Sequence, residues 1–337
     1  MSRPPRYLPQ GGALVEVTYR TIQGRMLLRP SRKLNEIVVG TLARAYRLCS
    51  EEARDPVELV GIVVLSNHIH LLLWVKTQYQ LSKLLEHFAG NTTREVNRLH
   101  DWSGSLWQRR YQGICVTTEE SAQVARLEYL LAQGVKEGLV EKVEDWPGIH
   151  FGKLLLERRS LLAGKWIDRT KKHRARARGK ELRRGEYEET LTVELKQLPC
   201  WAHLSWREYL RRVRDLIKKI EKEAAAEREL CEVELVGVQA ICEKDPQTQN
   251  LGVYCASGHS SLQTRFRQVS KSPPTAAHLS RQSIHEPAAS TAVTAVTWKV
   301  NVAATASRRQ STARRIVLPI SLPLLVVLDM SSIRHLC

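Results

Sequence analysis

The chain has 337 residues, and several things are scarce in it. Its seven cysteines are odd in number, widely spread, and never spaced as Cys-x-x-Cys. That argues against a disulfide framework and against a cysteine-rich zinc module. Long apolar runs are missing. The longest, 316–328, contains Pro319 and Pro323 and is too short and broken to cross a bilayer. The opening residues, Met1-Ser2-Arg3-Pro4-Pro5-Arg6, carry no apolar signal core. No Walker loop, GxGxxG, GxSxG or HExxH occurs, which excludes the functions those motifs support. No internal repeat is visible. The expectation is a reduced, cytoplasmic protein that makes no use of a membrane.

Acidic residues are outnumbered 35 to 52, leaving a net charge of +17. Such an excess points to a polyanionic partner. Its distribution is uneven. Residues 169–184 hold nine basic side chains and one acid, and residues 257–337 hold ten and two, whereas residues 1–150 are nearly balanced. A hydrophobic content of 43% supports a buried core somewhere in the chain, and the length suggests more than one domain.

Periodicity orders the first 150 residues. Residues 15–21 alternate and are rich in β-formers, so a strand is expected. Residues 32–49 carry Leu34, Ile37, Val38, Leu42 and Ala45 on one helical stripe. Residues 57–65 and 68–75 read as two strands joined by a turn at Ser66-Asn67. Residues 79–98 read as a helix, 112–117 as a fourth strand. Thr117-Thr118-Glu119-Glu120 fits a capping box opening a helix to about Gln133. The order βαββαβ plus one helix predicts an α+β, ferredoxin-like antiparallel sheet with its helices on one face and an added helix. The expected division is a domain over 1–150, a basic linker or extension over 151–204, a helical region over 205–246, and a low-complexity, disordered tail over 247–337. Ser205-Trp206-Arg207-Glu208 fits a second capping box, for a helix reaching about Cys231.

Three groups of residues could carry chemistry. On a strand, His68 and His70 point to one face and can share a cation, zinc among the options. On the helix beyond Thr117, Tyr129 lies opposite the apolar seam of Val124, Leu127 and Leu131. Gln133 stands one turn further on Tyr129's face, together with Arg126. Finally, Leu106-Trp107-Gln108-Arg109-Arg110-Tyr111 interleaves aromatics with arginines, as a base-stacking and phosphate-binding surface would, or as an amphipathic strand entry with Trp107 in a core. Taken alone, these groups are also compatible with a zinc hydrolase or with a non-catalytic single-strand binder.

In combination they resemble a known family. Ser66-Asn67-His68-Ile69-His70-Leu71-Leu72-Leu73, then the 106–111 segment, then Tyr129 followed by Gly138-Leu139-Val140, are similar to the REP-associated tyrosine transposases, members of the single-tyrosine HUH transposase family. The resemblance implies a transposase that cuts and rejoins single-stranded DNA at hairpin-flanked, REP-like palindromes through a covalent 5′-phosphotyrosine. It further implies Tyr129 as nucleophile, with His68, His70 and Gln133 as ligands of Mg²⁺ or Mn²⁺. The expected DNA contacts are Trp107, Arg109, Arg110, Tyr111 and Arg126, with Lys171, Lys172, Arg174, Arg176 and Arg178 of the basic run. A monomer or homodimer associated with a bacterial nucleoid fits that reading. So does an inactive, domesticated relative. Gln133-Gly134 stands where such proteins often have Asn-Pro.

Overall fold

The computed structural model describes residues 8–52 and 56–249. Four strands make the central sheet: β1 (Ala13–Arg20), β2 (Glu58–Leu65), β3 (His68–Val75) and β4 (Gln112–Val116). They lie in the order β2-β3-β1-β4, every neighbouring pair antiparallel. This is the ferredoxin-like arrangement that the element order predicts.

Strand alternation gives the sheet two distinct faces. Val15, Val17 and Tyr19 of β1 share one face with Ile69, Leu71 and Leu73 of β3, and all six are buried. The helices α1 (Arg32–Glu52) and α2 (Gln78–His100) cover it. Tyr19 donates its hydroxyl to the Leu85 carbonyl and meets Phe88 edge-on. Thr77 caps α2 in a reciprocal box with Gln80, and Leu81, Leu84, Leu85 and Phe88 line its buried stripe.

The other face carries Glu16, Thr18, His68, His70 and Leu72. Here lie α3 (Glu120–Leu131) and α4 (Phe151–Leu156). A Cβ at Gly61 would come within 3.3 Å of the Phe151 ring, so β2 and α4 meet closely. The ferredoxin-like helix pair thus keeps to one face, while the added helix takes the opposite one.

The segment read as a basic linker contains structure of its own. Strands β5 (Leu161–Ile167) and β6 (Glu188–Glu194) pair antiparallel, with α5 (Arg169–Ala177) and the short α6 (Arg184–Tyr187) between them. This hairpin sits on α1. Backbones approach so closely that a Cβ on Gly40 would lie 2.0 Å from the Lys165 carbonyl oxygen. Arg169 ties α5 to Glu95 of α2 at 2.6 Å.

The chain then passes the β2 edge, where the Lys196 amide donates to the Leu59 carbonyl. It enters α7 (Trp206–Cys231), capped by the Ser205 side chain as predicted. Tyr209, Leu210, Val213, Ile217, Ile220 and Ala224 form its buried stripe. Truncating one of these aliphatics, as in Ile217→Ala, costs about 2–5 kcal/mol. Alongside α3, Arg212 reaches Glu120 at 3.6 Å and Lys219 reaches Glu128 at 2.8 Å. After α8 (Val238–Glu243), residues 244–249 lie against the 22–29 loop, with the Met26 amide donating to the Thr248 carbonyl. The first three residues of the expected tail, 247–249, therefore have defined contacts; the rest, and the 316–328 apolar run, lie outside the described residues. Among the described residues no helix is long and apolar enough to cross a membrane.

Candidate active site

β3 opens directly on His68 after the Ser66-Asn67 turn, and its alternation sends His68 and His70 to the α3 side. Their rings lie 4.9 Å apart, centroid to centroid. Each imidazole is held through Nδ1. His68 Nδ1 meets Asn67 Oδ1 at 2.6 Å. His70 Nδ1 meets Glu16 Oε1 at 2.9 Å and Thr18 Oγ1 at 3.2 Å. A ring that donates from Nδ1 keeps its lone pair on Nε2, the atom a metal would use. This tautomer follows from the acceptors present.

Glu16 was not singled out by the sequence reading. It is an acid between two buried valines, 2% exposed. Its second oxygen meets Arg126 Nη1 of α3 at 2.6 Å. Burial by itself would raise this carboxyl. The hydrogen bond and charge of His70, followed by Arg126, outweigh burial and hold it below its ordinary range. His68 is pushed well below the usual imidazole range, chiefly by burial and then by His70 and Arg20, with a Gln133 hydrogen bond opposing. Neutral imidazole is the ligating form.

Tyr129 projects from α3 into the same space. Its ring centroid lies 5.6 Å from that of His70, nearly perpendicular to it, and the Arg126 guanidinium sits 5.5 Å from the phenol ring. Tyr129 is 43% exposed, so a macromolecular substrate could reach it. Partial burial, then the charges of Glu16 and Glu137, raise its hydroxyl above the ordinary phenol range, while Arg20 and Arg126 oppose them.

Gln133 falls just past the end of α3, 4% exposed. Its Nε2 donates to the Tyr129 carbonyl at 3.3 Å, and its side chain opposes the downward shift of His68. The next residue, Gly134, has φ +88°, a value closed to proline. Glu137 Oε2 accepts from the Gly134 amide at 2.5 Å. The turn therefore reaches its shape by a route that the Asn-Pro sequence could not take. Two imidazoles and an amide are a donor set that suits a divalent cation. Among the described residues no group of three His, Cys, Asp or Glu could hold a metal ion.

Other expected contacts lie elsewhere. Trp107 packs against Tyr19 with 4.8 Å between centroids and donates its indole N–H to the Ala89 carbonyl. Tyr111 is 5% exposed and lies 5.8 Å from the same Tyr19 ring. Both lie on the α1–α2 side of the sheet, Tyr111 buried and Trp107 half-buried, so neither ring stands beside Tyr129. Arg109 and Arg110 are exposed, with Arg110 over the Tyr111 ring. Lys171, Lys172, Arg174, Arg176 and Arg178 are exposed on α5 and just beyond it, also on the α2 side and away from the histidine pair. Of the expected DNA contacts, only Arg126 joins Tyr129.

Residues 35–133, which include both histidines and Tyr129, match the family described as "Transposase IS200 like". Over 125 residues the chain is 32% identical to a putative REP-associated tyrosine transposase of Haemophilus influenzae, spanning 32% of this chain and 66% of that protein's length. Among solved structures, it is similar to a putative transposase from Deinococcus radiodurans, at 18% identity and a TM-score of 0.26, over 38% of this chain and 95% of the other. It is also similar to a REP-associated tyrosine transposase bound to a REP hairpin, at 20% identity and 0.32, over 44% and 81%. Residues 35–133 thus match the IS200-like transposase family, and the chain spans just under two thirds of the Haemophilus influenzae relative's length.

Proposed function

We propose that this chain cleaves and rejoins single-stranded DNA beside a hairpin, with Tyr129 as nucleophile. The observation that carries the reading is the 5.6 Å approach of the Tyr129 ring to His70 on the face shared with His68, within a single chain. A divalent cation, Mg²⁺ or Mn²⁺, held by His68, His70 and Gln133 would polarise the non-bridging oxygens of the scissile phosphate.

The chain's own residues do the rest. The Tyr129 hydroxyl loses its proton to water as its oxygen bonds to phosphorus. The P–O3′ bond breaks and the departing 3′ oxygen takes a proton. The products are a 5′-phosphotyrosine and a free 3′-hydroxyl. Attack by a second strand's 3′-hydroxyl reverses the step and releases the phenol, so strands are exchanged without ATP. Arg126 lies beside the phenol and favours its developing negative charge, against the pull of Glu16 and Glu137. Glu16 and Asn67 orient the imidazoles.

The test uses a hairpin oligonucleotide with a single-stranded flank and a divalent cation. The wild-type chain should form a denaturant-resistant protein–DNA adduct. Tyr129→Phe should bind yet form none, and His68→Ala with His70→Ala should abolish cleavage in a folded protein. An adduct that survives Tyr129→Phe overturns the nucleophile. Binding by the wild type without any adduct would leave a non-catalytic single-strand binder.

A further inference from the structure

A groove of about 440 Å³ runs beside Tyr129, between α3 and the edge strand β4. Cys115, Val116, Thr117, Ala122, Ala125 and Arg126 line it together with Tyr129. The α3 residues lie on one stripe: Ala122, Ala125 and Arg126 stand seven, four and three positions before Tyr129, all within roughly 60° of it around the helix. This stripe faces away from the helix's apolar seam. Two alanines at those positions leave an open, apolar floor where a longer side chain would fill the space. At its Tyr129 end the groove meets a guanidinium. Only one Arg126 nitrogen is given to Glu16, and a guanidinium carries five N–H donors.

We propose that this groove receives an unpaired nucleobase adjoining the phosphate that Tyr129 attacks, its ring lying against Ala122, Ala125 and Val116. The inference rests on the nuclease reading and supplies what that reading lacks, a place for a base. The aromatics first assigned to stacking, Trp107 and Tyr111, are packed against Tyr19 on the other side of the sheet. The groove opens beside the phenol, has walls that suit a flat apolar ring, and carries positive charge only where a phosphate would arrive. A peptide or lipid occupant would not account for that arrangement.

The experiment fills the groove and empties it of its ligand in turn. Ala125 is exposed on a helix, so Ala125→Phe and, separately, Ala125→Leu should leave thermal unfolding unchanged. The probe is the tightest-bound member of a pool of hairpin oligonucleotides with a randomised flank. Abasic residues replace its flanking nucleotides one at a time. Dissociation constants are measured without divalent cation, so binding is read apart from chemistry. At one flank position the abasic probe should bind wild type about 10-fold more weakly, a tenfold step being about 1.4 kcal/mol. Ala125→Phe should weaken the intact probe comparably but bind that abasic probe as wild type does. Losses that multiply, or an Ala125→Phe protein that binds the intact probe normally, overturn the proposal. Adduct formation is scored in parallel with Mn²⁺. Adducts with multiplying losses sink the groove and keep the nuclease; the reverse pattern keeps the groove and sinks the nuclease.

Discussion

His70 Nδ1 donates to Glu16 Oε1 over 2.9 Å, from β3 to the neighbouring β1, with both side chains closed off from solvent. One carboxylate thereby joins a strand-borne imidazole to Arg126, which in turn lies over the Tyr129 ring. Replacing Glu16 by Gln preserves the shape and removes the charge. Metal affinity should fall about 10- to 100-fold, as with other lost partners of ligating histidines. Stability should fall by about 1–3 kcal/mol, because the amide offers one acceptor oxygen where His70 and Arg126 each use one, leaving a buried donor unpaired. Titration with Mn²⁺ followed by paramagnetic resonance, and urea unfolding, check the two effects. Unchanged metal affinity would mean that Glu16 serves packing alone.

The hairpin on α1 depends on two glycines. A Cβ on Gly164 would lie 2.3 Å from the Gly40 amide nitrogen, and a Cβ on Gly40 would come closer still to the Lys165 carbonyl oxygen. Backbone cannot yield there as a flexible side chain would. Gly40→Ala should destabilise the protein by about 1–3 kcal/mol, the usual cost of overpacking. The loss should appear in hydrogen exchange as lost protection in β5 and β6, while β1 and β3 keep theirs. Uniform loss across the sheet would contradict this division.

Much of this layout is written in local sequence, and the exceptions have physical causes. β3 begins and ends where alternation places it, because a polar turn separates two apolar strands. The Ser205 cap of α7 forms as its residues suggest. The Thr117–Glu120 box does not. The Glu120 carboxylate is taken by Trp201 Nε1 at 2.6 Å and approached by Arg212, and α3 starts at Glu120 without a side-chain cap. Tertiary partners outbid a local one. β5 and β6 stayed hidden because a basic helical segment separates them and Gly164 interrupts the β pattern. At the site, spacing places His68 with His70 and Tyr129 with Gln133 on common faces, while the roles given to them come from the family resemblance. Glu16 is not legible from spacing, since only the β1–β3 register shows that it and His70 share a face. Ring packing against Tyr19, not register, places Trp107 and Tyr111 on the opposite side.

The basic residues of α5 stand on the α2 side of the sheet, so any phosphate contact they make is remote from Tyr129. Lys171→Glu with Lys172→Glu should weaken binding of a hairpin oligonucleotide and flatten its salt dependence. The slope in log salt should fall by about 0.7–0.9 per lost contact. Adduct formation at saturating DNA should not change. A slower saturated rate would instead place α5 beside the reacting strand.

One group through which acid should act is His150, which is buried at the edge of β2 and next to the Tyr129–Gln133 turn. Its Nδ1 accepts from the Gly152 amide at 3.1 Å, and its ring stacks on Phe151. Burial, against weaker opposition from the Gln133 and Leu131 carbonyls, lowers its pKa to about 3. In the unfolded chain an ordinary histidine takes up its proton near pH 6.5. Between those values the unfolded state binds a proton that the folded state refuses. Stability is therefore complete above about pH 6.5 and declines as the pH falls toward 3, at about 1.4 kcal/mol per pH unit. At pH 5 the loss from this residue is about 2 kcal/mol relative to neutrality. His150→Asn should unfold more easily at pH 7, having lost the stacked ring, yet show a shallower decline between pH 7 and pH 5. Urea midpoints of both proteins at the two pH values decide the matter, and parallel declines would mean that His150 is protonated in the folded protein.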